Sequence, residues 1–225
     1  MARRVVAEDP AGPLAGAHRP PVVLLSWFGG IATAMWALCA EGVRPYLSVS
    51  WEDHAPSAEL AKAHFPEVVG RGDFRRDGPE EIIALLRERK VPDGAVVLGT
   101  AGPPCPDYTQ IKGDRALGRA GPEGRKFVEF AELLLKLQAA CPWNVLFLVE
   151  NVVPGKLEEA RFFEDLLRVP ARWVDAEDFG LIRRPRLWWS NVPVLPEAAV
   201  VSEQRGFVRL RPRCVPLKAD QLDLG

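Results

Sequence analysis

The sequence predicts an α/β fold built on an open, mostly parallel sheet with helices on both faces. Three observations predict it. Short apolar runs alternate with segments of helical periodicity, the signature of βα units that set neighbouring strands parallel. The first of these runs, Pro21 to Leu25, is continuously apolar, as a strand covered on both faces is. Glycine and proline punctuate the joins between them, at Gly29-Gly30, Gly42 and Pro103-Pro104 for example.

The elements follow in order. Residues 1–20 carry Pro10, Gly12, Pro13, Gly16 and Pro20 and read as a flexible tail. Pro21 to Leu25 is the first strand, and Ala32 to Glu41 the first helix, stopped by Gly42. Tyr46 to Ser50 reads as the second strand, Ala55 to His64 as a helix, and Val68-Val69 as a short third strand. Pro79 to Lys90 is amphipathic, with Ile82, Ile83, Leu85 and Leu86 on one face. Ala95 to Leu98 is the fourth strand, leading to Cys105. Ile111 to Gly124 is rich in glycine and charge and reads as a mobile loop. Arg125 to Ala140 is a helix, Val145 to Val149 the fifth strand, and Arg161 to Leu167 a further helical stretch. Arg172-Trp173 and Leu187 to Trp189 are the remaining strand candidates. Phe207 to Arg213 is a basic, strand-like run read as a solvated tail that could touch phosphates. The expected organisation is one catalytic region over 21–193 and a C-terminal extension over 194–225.

At 225 residues, 48% hydrophobic and 26% charged, the chain suits one sizeable core. Its net charge of -1 advertises no global nucleic-acid-binding field, so any such surface is local. Cys39, Cys105, Cys141 and Cys214 form no CxxC pair. This argues against a disulfide framework and a metal site, and for a reducing compartment, nuclear or cytoplasmic. No apolar run has the length of a membrane span, so no membrane partner is expected.

Open α/β sheets bind ligands outside the carboxyl ends of their strands, and four motifs fall at such ends. They are Phe28-Gly29-Gly30-Ile31-Ala32-Thr33, Pro103-Pro104-Cys105-Pro106, Glu150-Asn151-Val152 and Arg184-Pro185-Arg186. Proline fixes φ and removes donors, so the turn carrying Cys105 is stiff and its thiol direction is set. The Gly-Gly turn by itself is equally a tight βα connection, and it is not a GxGxxG fingerprint.

Taken together, the motifs resemble those of the cytosine-5 methyltransferases of DNA and tRNA, over roughly residues 22–193. The turn Phe28 to Thr33 and the run Leu146 to Val153 look most like the de novo DNA-methylating branch. The resemblance implies a Rossmann-like class I S-adenosylmethionine-dependent methyltransferase that transfers a methyl group to C5 of cytosine in DNA. The alternatives are cytosine-5 methylation of tRNA, suggested by Cys105 to Thr109, and a catalytically weak partner-binding module. By resemblance Cys105 is the nucleophile that adds to C6, and Glu150 protonates N3 from a site whose burial raises its pKa. Asn151 orients the Pro-Cys turn; Arg184 and Arg186 hold phosphate or base carbonyl and lie near the thiol. S-adenosylmethionine would be bordered by Phe28, Gly29, Gly30, Ile31, Ala32 and Thr33. Trp51 would stack on adenine, Asp73 and Phe74 would meet its edge, and Pro103 and Pro104 would line the methyl side.

Two departures stand out. Where the family has a glutamate on the ribose hydroxyls this register places Ser50, with Glu52 or Asp53 compensating if the strand end shifts. Residues 194–225 hold neither a target-recognition region nor the family's closing motif, which leaves three expectations: a truncated gene product, a protein partner that completes the C-terminal region, or a methyltransferase with reduced recognition.

Overall fold

The structure, a computed structural model, describes residues 19–109, 115–180, 182–193 and 199–212. Most of the tail at 1–20 and Cys214 lie outside the described residues. Among the described residues nine strands form one sheet: β1 Val22–Trp27, β2 Leu47–Trp51, β3 Val69–Gly70, β4 Val96–Ala101, β5 Asn144–Val152, β6 Ala171–Asp175, β7 Pro185–Ser190, β8 Ala199–Gln204 and β9 Phe207–Pro212. Their order is β3-β2-β1-β4-β5-β7-β6-β9-β8. The β3-β2-β1-β4-β5 half is parallel throughout. β7 runs antiparallel between β5 and β6. The helices are α1 Thr33–Ala40, α2 Ala55–His64, α3 Pro79–Glu88, α4 Pro122–Ala140 and α5 Leu157–Leu167; none is long and apolar enough to cross a membrane.

Local chemistry explains the helix starts. In α3 Pro79 occupies the first turn, and Glu81 accepts the Gly78 N–H at 2.9 Å, which satisfies an otherwise orphaned donor. α4 opens at Pro122, three residues ahead of the expected start, because proline needs no N–H there. Its buried side chains, Phe127, Phe130, Ala131, Leu134 and Leu137, recur at helical spacing. They meet Trp27, Val97, Phe147, Val149 and Phe163 in the main core.

The second face is covered unevenly. Leu24, Ala32, Met35, Ala61 and Phe65 pack in a small separate cluster under α1 and α2. In β4 and β5 alternate residues remain half-buried, Leu98 and Leu148 among them. Strands that read as covered on both faces are therefore covered on one face over the middle of the sheet, among the described residues.

Two sequence readings change. β5 runs on to Val152, so Glu150 and Asn151 lie in the strand rather than beyond it. The segment 207–212 is not a solvated tail. Arg205 and Gly206 take positive φ, 49° and 77°, the twist a two-residue hairpin turn needs. Phe207 then enters the main core, and Arg209 pairs with Asp178 at 2.9 Å.

One buried group anchors the β2 side. The Asp77 carboxylate, 6% exposed, accepts Trp51 Nε1 at 2.7 Å and Arg71 Nε at 2.9 Å. The Arg71 hydrogen bond, helped by that of Trp51, holds the Asp77 pKa below its ordinary value. A depressed carboxyl contributes stability above its unfolded pKa and loses it as pH falls through the folded value. Asp77→Asn is thus expected to cost about 1–3 kcal/mol at pH 7. The gap from wild type, followed by urea unfolding, should close as pH drops below about 4.

Candidate active site

The turn after β1 is backbone-strained and tightly packed. Phe28 and Ala32, both with side chains, take φ of 54° and 66°, conformations that persist where the surroundings over-determine them. A Cβ on Gly29 would fall inside contact distance of Ser50 Oγ, whereas one on Gly30 would meet nothing within 4 Å. Gly29 is therefore required by packing below the turn, and Gly30 leaves the backbone open to a ligand above it. Phe28 sits edge-on to Phe74 and Phe130, with centroids 5.1 and 5.8 Å away.

Beside this turn lies a cavity of about 680 Å³. Phe28, Gly29, Gly30 and Thr33 form one side; Glu150, Arg184 and Arg186 form another, over a floor that includes Leu98 and Leu148. The floor also holds Thr100, whose buried hydroxyl has no hydrogen-bond partner. Arg186 Nε meets Glu150 Oε1 at 2.6 Å, both side chains about a quarter exposed. β5 and β7 pair antiparallel with Val152 opposite Arg186 and Glu150 opposite Trp188, so sheet register brings these distant residues together. The Arg184 backbone N–H is held by Asp175 at 2.8 Å.

Cys105 lies outside the cavity lining but is tied to the same strand. The buried Asn151 donates Nδ2 to the Pro103 carbonyl at 3.3 Å, and its Oδ1 accepts the Val152 N–H at 2.7 Å. One asparagine thus fixes the Pro-Pro-Cys turn to β5. A Cβ on the adjoining Gly102 would stand 3.6 Å from Glu150 Oε2. Removing the anchor leaves a buried carbonyl unpaired, a cost of about 1–3 kcal/mol. Asn151→Ala is expected to lower stability by that amount, measured by urea unfolding.

Several residues stand elsewhere than expected. Trp51 is a core residue, stacked on Trp27 at 4.9 Å and 1% exposed, so no face is free for adenine. Ser50 is buried under the glycine turn and does not line the cavity. The carboxylate at this turn belongs to Glu52, whose Oε2 accepts the Gly30 N–H at 2.7 Å and whose Oε1 accepts the His54 N–H at 2.9 Å. Phe74 is buried behind Phe28, and Asp73 caps a short 3-10 turn by accepting the Arg75 N–H at 3.0 Å. Neither lines the cavity. Ile31 is exposed, Ala32 belongs to the small core cluster, and Pro103 and Pro104, in the turn that carries Cys105, do not line the cavity. Glu150 is not isolated in an apolar pocket, because Arg186 accompanies it; the guanidinium faces this carboxylate rather than the thiol.

The segment after Cys105 is pinned where it is described, although residues 110–114 lie outside the described residues. The Cys105 carbonyl accepts the N–H groups of Tyr108 and Thr109 at 3.0 and 3.1 Å. Asp107 accepts the Glu123 and Gly124 N–H groups at 2.9 and 3.0 Å, capping α4 from a distance. Tyr108 donates its hydroxyl to the Gly124 carbonyl at 2.7 Å, and burial pushes its pKa well up. Sequence reasoning missed both residues, since a cap supplied from 16 positions away leaves no local pattern.

No protein-family model matches the chain. Among solved structures it is similar to a DNMT2 variant of Spodoptera frugiperda, with a TM-score of 0.55 and 18% identity over 86% of this chain and 57% of that one. It is also similar to the Dnmt2 methyltransferase of S. pombe, with a TM-score of 0.50 and 15% identity over 77% of this chain and 50% of that one. For the Entamoeba histolytica methyltransferase EhMeth the TM-score is 0.52, with 13% identity over 78% and 54%. The chain spans little more than half the length of these proteins. Its fold is the α/β fold of these Dnmt2 and related methyltransferases.

Proposed function

We propose that the chain transfers a methyl group from S-adenosylmethionine to C5 of cytosine in DNA, through a covalent bond between Cys105 and C6. One juxtaposition carries the reading. The Glu150–Arg186 pair and the Phe28–Thr33 turn border one cavity, and Asn151, next to Glu150, holds the Cys105 turn. The residues fit the cofactor: an open glycine backbone, an unpartnered Thr100 hydroxyl and a cavity of about 680 Å³ match a nucleoside-sized group. Phe28, Gly29, Gly30 and Thr33 would hold it, with Glu52 in place of Ser50 as the nearby carboxylate. When bound, it supplies an electrophilic methyl group.

The chain's residues then do the following. The Cys105 thiolate adds to C6, and the ring electrons move toward N3, where Glu150 delivers a proton. C5 becomes enamine-like and nucleophilic. C5 takes the methyl group, which would leave the cofactor as its thioether; the C5 proton then passes to a solvent water, the electrons return and expel the Cys105 thiolate, and N3 gives its proton back to Glu150. Arg186 holds the carboxylate at the cavity wall and steadies its charge while it is deprotonated. Because the target atom lies inside a stacked duplex, the base must leave the stack to reach Cys105.

RNA cytosine is the second reading, supported by the likeness of Cys105 to Thr109 to the tRNA-methylating branch. Transfer of labelled methyl to unmethylated DNA and, separately, to small RNA tests the proposal. DNA labelling at cytosine C5 is expected; labelling confined to RNA would replace the substrate, and labelling of neither would sink the enzymatic reading of the chain alone. The reading includes a catalytic region at 21–193, an extension at 194–225 and a protein partner that completes the C-terminal region. A reducing nuclear or cytoplasmic setting suits a free nucleophilic thiol.

A further inference from the structure

A second cleft, of about 480 Å³, opens next to the Cys105 turn. Tyr108 and Gly118 line one wall, the loop Pro154 to Leu157 lines another, and Arg205 of the β8–β9 turn closes it. Three segments far apart in sequence therefore meet at one concavity, two and three residues beyond the proposed nucleophile.

Its charge is set by which groups are already occupied. Asp107 on the wall spends Oδ2 on the N–H groups of Glu123 and Gly124. Glu159, 12% exposed, accepts the Arg119 backbone N–H at 3.1 Å and Arg119 Nη1 at 3.2 Å. Lys156 and Arg205 border the cleft, both exposed, and neither has an ion-pair partner among the described residues. The two carboxylates are thus engaged, and two cations are left over in a chain whose net charge is only -1. A local positive site is what a polyanion needs when the whole molecule offers no attractive field.

The geometry points to this cleft as the binding site for the phosphodiester backbone flanking the target cytosine, with Lys156 and Arg205 as its phosphate ligands. The inference rests on the nucleic-acid reading above and adds where the strand runs. A polymer that presents a base at Cys105 must carry its neighbouring phosphates past the adjoining surface, and this is where unpaired cations stand. Pro154, Leu157 and Ala116 add apolar wall without hydrogen-bonding groups to read base edges. The cleft therefore positions the strand and carries no sequence information.

Binding of fluorescent single-stranded DNA and RNA, each in two unrelated sequences, tests this with the full chain across a salt series. Each phosphate contact contributes about 0.7 to the slope of log K against log salt for single strands. Lys156→Ala and Arg205→Ala should each reduce the slope by about that amount, and the double variant by about twice it. The loss should be equal for both sequences. Binding of S-adenosylmethionine, measured by calorimetry, should not change, since neither residue lines its cavity; this also shows that the exposed substitutions leave the fold intact. If the wild type binds and the double variant keeps the same slope and affinity, the cleft is overturned while the methyltransferase reading stands. If the wild type binds neither polymer, both fall. The polymer that shows the larger slope loss identifies the strand the cleft takes.

Discussion

Under the proposed reaction, Cys105→Ala is expected to abolish methyl transfer, with a loss of at least about 10³-fold, while thermal unfolding and S-adenosylmethionine binding stay close to wild type. The size follows from the chemistry. Cytosine C5 is a poor nucleophile until a thiolate has added at C6, so removing the thiol restores the undivided barrier. At about 1.4 kcal/mol per factor of ten, the expected loss corresponds to at least about 4 kcal/mol of transition-state stabilisation. The thiol is half-buried and outside the cavity lining, and the turn is held by the Asn151 amide and by backbone hydrogen bonds rather than by sulfur. Alanine therefore costs little fold stability. Methyl transfer retained by Cys105→Ala would exclude the covalent route. A variant that lost cofactor binding too would show the turn, not the thiol, to be the missing part.

Gly124→Ala is expected to be the most damaging single methyl group in the chain. A Cβ at this position would sit inside the Gly118 carbonyl, against backbone that a side-chain rotation cannot clear. Gly118 itself has φ of 57°, and its N–H donates to the Asp107 carbonyl at 2.8 Å. To admit the methyl group the 118–121 turn must move off α4 and break the Asp107 cap. Overpacking against backbone and loss of a cap together cost about 2–5 kcal/mol. Urea unfolding should show the lowered midpoint, and hydrogen exchange should show protection lost first at Tyr108, Gly118 and Gly124. Gly180→Ala, where a Cβ would meet only one carbonyl at 3.8 Å, is the matched control and should change stability by less than about 0.5 kcal/mol. Equal stability of the two variants would contradict the close packing of this turn.

How much was legible in the sequence differs element by element. α3 was readable because its four buried aliphatics, its proline and its capping glutamate all lie within ten residues. β1 and β4 were readable because a continuous apolar run needs no partner to be recognised. The ends were less so. β5 extends through Glu150 and Asn151 because β7 pairs with it there, and no property of residues 150–152 alone announces that partner. Phe207 to Pro212 looked solvated because its arginines dominate, yet Phe207 is buried and Arg209 meets Asp178, 31 positions earlier.

The site divides in the same way. The sequence by itself determined the chemical inventory: a cysteine fixed between prolines, a carboxylate with its asparagine, two spaced arginines and a glycine turn. These are properties of residue type and short spacing, and short-range covalent geometry expresses them directly. Only the tertiary structure decided how the inventory is shared out. It placed Arg186 on Glu150 through strand register, sent Trp51 into the core and brought Glu52 to the turn in place of Ser50. It also pinned the segment after Cys105 with Asp107 and Tyr108 and gathered Lys156 and Arg205 at one cleft. The physical reason is that side-chain direction alternates along a strand, so a shift of one residue in where the strand ends decides which group faces the ligand.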